Sequence, residues 1–370
     1  MAAPDVAQKV SDLLLSSVVR GTLTGYNSGF KSLSEFCAPL GLVALPVSTV
    51  TLVAWMHHLT HKSPPVKPKS VKKYLSGVRF FHVLNGFGWP AADDPVLLMA
   101  KRALAKRFPE APQRLKVPIS VSLLLRMCSL VRGFPNPGQM LFDDILWVTA
   151  STLMLLGALR GGELTRVKGT SRPTLLGQDV FLFSIREIDG SVSSGVKILI
   201  RAPKTEPGMA FQEAFAVDAS SSFSLNPSFW LLAYRRAAAA QGLVVLGTQP
   251  AFKTARGDVL SRDAMVARAN ALRVMTGVCI RDADGRTVPF LAASWRAGFV
   301  LSARAAGISE FLIRKAGRRA SSSGPAPYTF ASMAEFRSAS LAMASTAGSA
   351  QLPAVFDVGS FNSACVFEHA

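Results

Sequence analysis

Apolar residues recur at every third or fourth position through most of the N-terminal part of the chain. Tyr26, Phe30, Leu33 and Cys37 follow one another at spacings of four, three and four, which places them on one face of a helix over Thr22–Cys37. The same periodicity predicts helices over Val50–His61 and over Ser70–Asn85, the latter with Val71, Tyr74, Val78 and Phe81 inward. A fourth helix starts at Asp94, with Pro95 in the first-turn position that tolerates proline, and runs on through "KRALAKR". No stretch of this region alternates as a strand would.

The stretch "FPEAPQRLKVP", residues 108–118, breaks the pattern with three prolines and reads as an extended connector. It divides the chain into a helical domain over residues 1–112, a linker over 113–118 and a second domain over 119–345. Helices are expected at 120–132 and 139–159, and then the period changes to two in "QDVFLFSIREIDGSVSSGVKILIRAPK", a hairpin turning at Asp189-Gly190. Helical spacing returns at Asn226–Gln241, 262–276, 294–306 and 308–316. Residues 346–370 lose their periodicity and read as a loose tail without a docking helix. The fold class expected is mainly α with a small β-sheet in the second domain.

Charge narrows the partner. The 370 residues carry 41 Lys and Arg against 23 Asp and Glu, a net +18, which favours a polyanion. Residues 1–115 alone hold 14 basic residues against six acids, a net +8. Lys67, Lys69, Lys72 and Lys73 in "KPKSVKK", and Lys101, Arg102, Lys106 and Arg107 in "KRALAKR", could be merely solvated but in so basic a domain are better read as phosphate-contacting helix ends; for the run "RKAGRR" at 314–319, DNA contact and simple solubility predict the same composition. The uncharged run Ile145–Leu159 is too short for a bilayer and carries Thr149, Ser151 and Thr152, so no membrane partner is expected. The N-terminus shows no basic segment followed by an apolar one, so an intracellular protein is expected. Cys37, Cys128, Cys279 and Cys365 are scattered, without a CxxC pair, and fit a reducing interior. His57 and His61 stand one helical turn apart in "HHLTH", but no third ligand is evident, and a surface role is expected over zinc. Neither metal nor cofactor is called for.

One guanidinium is out of place: Arg160 ends the apolar run of "LMLLGALRGGELTRV". A charge there needs a partner or an anionic target. Lys204 follows the second β arm in "APKTEPG", Arg296 opens a helix in "SWRAGF", and Tyr328 follows "AGRRASSSGPAP". Taken singly, each has an ordinary explanation: a helix-end charge, a solvated turn, a paired arginine, a packing tyrosine. As an ordered set they resemble the tyrosine recombinases of the phage-integrase type.

That resemblance spans about residues 20–335, with "GALRGGEL" supplying Arg160, Gly162, Glu163 and Leu164 of its first arginine motif. It implies a helical core-binding domain and an integrase-like catalytic domain closing as a clamp around duplex DNA. It implies Arg160 and Arg296 gripping the phosphate, Lys204 as general acid and Tyr328 as nucleophile, with Glu163 in support. It further implies recombination or integration of a mobile element through a 3′-phosphotyrosine link, four copies acting on two duplexes, and nuclear placement in a eukaryotic host. Two positions depart from the pattern: Ala293 stands where the H-x-x-R histidine belongs, and Arg319 where a further His or Trp is usual. Histidine is missing from everything between His82 and His369. Slow chemistry, or an inactive DNA-binding descendant, follows from those losses; a basic scaffold for RNA or an acidic protein is the rival of another class.

Overall fold

The computed structural model describes residues 3–18, 20–89, 94–108, 117–168, 175–187, 190–201, 211–219, 223–281, 285–318, 333–349 and 355–356. The chain divides into two compact units, Met1–Arg114 and Leu115–Ala370. Among the described residues no helix is long and apolar enough to cross a membrane.

The first unit is helical: α1 (Ala3–Ser16), α2 (Arg20–Cys37), α3 (Thr49–His61), α4 (Pro68–Leu84) and α5 (Pro95–Arg107). Its core gathers Leu33, Leu52, Trp55, Leu59, Val71, Val78 and Leu97. Helices α2 and α4 cross at backbone contact. A Cβ on Gly29 would lie 2.7 Å from the Tyr74 Cα, and one on Gly77 would lie 2.6 Å from the Tyr26 Cα. Phe30 and Phe81 close the crossing with ring centroids 4.8 Å apart. Asp94 caps α5 by accepting from the Val96 and Leu97 N–H groups, and Thr49 donates to it at 2.9 Å, tying α3 to α5.

The second unit contains α6 (Val121–Ser129), α7 (Phe142–Leu156), α8 (Gly161–Leu164), β1 (Val180–Arg186), β2 (Val192–Arg201), β3 (Phe211–Val217), α9 (Pro227–Ala240), α10 (Arg262–Met275), β4 (Cys279–Ile280), α11 (Ser294–Ala305), α12 (Glu310–Ala316), α13 (Met333–Ser349) and β5 (Val355–Phe356). The chain is thus mainly α with a small antiparallel sheet in the order β1-β2-β3, as the patterning predicts. Helix α7 is buried along nearly its whole length, which is why its sequence shows no polar face. Its Thr149 hydroxyl donates within the helix to Ile145 and across to the Trp230 carbonyl of α9. Helix α11 rests on residues 117–120 so closely that a Cβ on Gly298 would stand 1.7 Å from the Ile119 carbonyl oxygen. Ile119 donates to the Ser294 carbonyl at 2.9 Å, and Ser302 accepts from the Val121 N–H.

At the C-terminal end the helical structure runs four residues past 345, where the loose tail is expected to begin. Helix α13 runs to Ser349 and lays Ala339, Ser340 and Met343 into the core side of the unit, with Phe336 stacked on Phe215 of β3. Beyond it, Val355–Phe356 pairs in parallel with Cys279–Ile280. Alanine and serine dominate α13, so its buried face has little hydrophobic contrast to display in sequence.

Candidate phosphate-binding site

The turn that ends α7 sets the site. Leu159 donates to the Met154 carbonyl and Ala158 to the Leu155 carbonyl, the pair of bonds that closes a helix through a left-handed residue. Ala158 is that residue, at φ 47°, where glycine is the usual occupant. The chain leaves the turn with Arg160 extended at the start of α8. Gly161 then lies against the approach to α11: a Cβ there would be 2.8 Å from the Ala292 Cβ.

Glu163 binds back to Arg160 twice. Its Oε2 accepts the Arg160 backbone N–H at 2.7 Å, and its Oε1 accepts from Nη1 of the Arg160 side chain at 2.7 Å. Oε2 also accepts from Nη2 of Arg318 at 2.6 Å. Burial by itself would raise the Glu163 carboxyl, but the Arg318 charge and the bonds from Arg160 outweigh it and hold the group below the ordinary carboxylate range. Arg318 is as deeply placed as its partner and donates further to the carbonyls of Gly157, Ala158 and Ala316.

Arg296 enters from the first turn of α11, where Nη2 donates to the carbonyl of Gly317, the residue that ends α12. Arg160 and Arg296 are therefore joined through one short path: Arg160 to Glu163, Glu163 to Arg318, and from the adjoining Gly317 to Arg296. Two guanidiniums, Arg160 and Arg318, share the Glu163 carboxylate, so the cluster keeps a positive balance, and Arg160 is the more exposed of the two, at 26% against 4% for Arg318. Ala293 caps α11 without any side-chain bond and is exposed, so a methyl group stands where the resemblance calls for an imidazole.

Lys204, Arg319 and Tyr328 lie outside the described residues. The strands on either side of Lys204 are anchored: Arg201 pairs with Phe211 across β2 and β3, and its guanidinium grips the buried Asp179 through Nε and Nη2 at 2.7–3.0 Å. Arg318 enters the sequence expectations only as part of the "RKAGRR" run at 314–319, with no role of its own; its one signal is an arginine pair directly after the glycine that closes α12.

Among the solved structures this chain resembles are integrases and a recombinase. The structure of the Tn1549 transposon integrase in complex with transposon right end DNA shares 12% identity, with 84% of this chain and 91% of that one covered at a TM-score of 0.48. A lambda integrase dimer bound to a COC' core site shares 15% identity, covering 87% and 96%, at a TM-score of 0.41. For the XerA recombinase the values are 11% identity, 95% and 100% coverage, and a TM-score of 0.32. No protein-family model and no curated protein matches the chain.

In the first unit, Lys67, Lys69, Lys72 and Lys73 are exposed around the N-terminal turns of α4, and Arg102, Lys106 and Arg107 are exposed along α5 with Lys101 half-buried. The positive end of the α4 dipole adds to the lysines around it. Among the described residues no group of His, Cys, Asp and Glu is arranged to hold a metal ion. His57 and His61 stack at 3.9 Å, and Nδ1 of His61 lies 2.8 Å from the His57 carbonyl.

Proposed function

We propose that this chain is a tyrosine recombinase that breaks and rejoins duplex DNA at a specific site, as the enzyme of a mobile element does. The observation that supports the reading is the bonded path that links Arg160 to Arg296 through Glu163, Arg318 and the adjoining Gly317, from helices far apart in the chain.

A phosphodiester gains charge on its non-bridging oxygens as a nucleophile adds to phosphorus, and two guanidinium forks stabilise that charge more than they stabilise the starting ester. Arg160 and Arg296 take this part. The Tyr328 oxygen attacks phosphorus and its proton passes to solvent; the bond from phosphorus to O5′ breaks, and Lys204 delivers a proton to the departing oxygen. The 3′-phosphotyrosine keeps the ester energy, so a 5′ hydroxyl can later reverse the step without a nucleotide cofactor. Arg160, Glu163 and Arg296 belong to the pocket; the exposed bases of α4 and α5 supply contacts to the DNA backbone, which bind without reading sequence.

The test is a duplex nicked next to the cleaved phosphate, which lets the 5′ fragment diffuse away and traps the covalent protein–DNA adduct. An adduct that survives denaturation and disappears in Tyr328→Phe supports the reading. Strong, salt-sensitive duplex binding without adduct would replace it with a DNA-binding protein that has lost the reaction, the outcome favoured by the bare Ala293 at the start of α11.

A further inference from the structure

Arg318 has no place in the reaction just described, yet its guanidinium donates to Glu163 and to the carbonyls of Gly157, Ala158 and Ala316. A guanidinium and a carboxylate usually meet through two parallel N–H to O bonds. Arg160 and Glu163 do not. The Glu163 Oε2 is already taken by Nη2 of Arg318 and by the Arg160 backbone N–H, so the Arg160 side chain reaches only Oε1, through Nη1. The rest of the Arg160 fork stays uncommitted among the described residues, on a side chain that is 26% exposed. Arg318 itself is turned inward to the carbonyls of Gly157, Ala158 and Ala316 and is not presented to a ligand.

The turn that carries Arg318 also acts on the second arginine. Gly317, immediately before it, offers the carbonyl that receives Arg296. Arg318 adopts φ 49°, a left-handed conformation that a non-glycine residue keeps only where its surroundings enforce it. One two-residue turn thus bonds Arg296 directly and reaches Arg160 through Glu163.

We infer that Arg318 is a positioning residue for phosphate binding: by occupying Glu163 it keeps Arg160 from being closed off by its own neighbour, and its turn sets Arg296 alongside. This rests on the reading that Arg160 and Arg296 grip phosphate, and it adds a group that the resemblance does not supply.

The experiment uses the full chain with 15N-labelled arginine, its Arg160 and Arg296 Nε–H signals assigned through Arg160→Lys and Arg296→Lys, and titrated with inorganic phosphate. In the parent chain both signals should move over the same phosphate range. In Arg318→Met, Glu163 can take Arg160 with both oxygens, and the Arg160 response should require about tenfold more phosphate. Adding Glu163→Gln to Arg318→Met should bring that response back to within about threefold of the parent, a recovery that loss of fold alone does not produce at constant folded fraction. Should Arg318→Met fail to fold, Arg318→Lys, which keeps the charge but loses the fork, takes its place and should fall between the parent and the tenfold loss. An Arg160 response unchanged in Arg318→Met or Arg318→Lys overturns the inference. A normal phosphate response with no covalent adduct on the nicked duplex removes the strand-cleavage reading and leaves this one standing; no response at either arginine in the parent removes both.

Discussion

Arg318 and Glu163, 155 residues apart in the chain, meet at 2.6 Å with their side chains 4% and 5% exposed. A pair buried that completely is held by mutual charge and by the hydrogen bonds around it, and neither partner is comfortable alone.

Breaking the pair should therefore cost more than removing it. Arg318→Met and Glu163→Gln are each expected to destabilise the second unit by about 3 kcal/mol or more, and the double variant by clearly less than the sum of the two. Urea midpoints of the four chains measure this; additive losses would mean that the two side chains do not depend on each other.

Ala293 offers a gain of function. Ala293→His places an imidazole at the start of α11, three residues ahead of Arg296, where an exposed methyl group now stands. Restoring an acid-base or hydrogen-bonding group of this kind is worth on the order of 10²-fold in rate where the geometry suits it. Single-turnover adduct formation on the nicked duplex should rise by at least about tenfold, and its pH dependence should acquire a limb near pH 6–7 from the imidazole. A parent chain that already shows such a limb would contradict the assignment, because His82 and His369 bracket a region without histidine.

His82 makes the first unit acid-sensitive. It is fully buried, accepts the Val47 N–H at Nε2 over 2.9 Å, and faces the Gly88 carbonyl with Nδ1, so the ring is neutral with its proton on Nδ1. Burial lowers its pKa, and the Gly88 bond only partly opposes this. The unfolded chain then binds the proton first: the stabilisation is complete above the unfolded value of about 6.5 and is lost as pH falls through the lower folded value. Denaturant midpoints should drop between pH 7.5 and 5, and His82→Gln, less stable at neutral pH, should show a flatter profile.

Two glycines of α2 should respond in opposite directions to alanine. Gly29→Ala drives a Cβ into the Tyr74 backbone of α4 and should cost about 1–3 kcal/mol. Gly25 has nothing within 4 Å of the same added atom, and Gly25→Ala should stabilise by about 0.5–1 kcal/mol through helix propensity. Thermal unfolding of both variants checks the sign at each position.

Binding to mixed-sequence duplex should weaken steeply with salt. Neutralising Lys69 and Lys72 together, as glutamines, should reduce the magnitude of the log–log salt slope by about two while leaving the adduct chemistry at saturating DNA unchanged. A slope that does not move would take α4 out of the DNA interface.

The helices, the hairpin and the exposed basic helix ends were legible from local pattern. Spacing of Tyr26, Phe30, Leu33 and Cys37 is enough to orient α2, because a helix face is a property of neighbours in the chain. Arg160 and Arg296 stood out because their flanking residues resemble a known motif. Arg318 and the double use of Glu163 did not, since they arise only when the ends of α7 and α12 come together in space. The same holds for α13, whose small side chains fill a space shaped by α11, β3 and α12, since a sequence rich in alanine and serine carries no record of that shape, and for β5, which is defined by its pairing with β4.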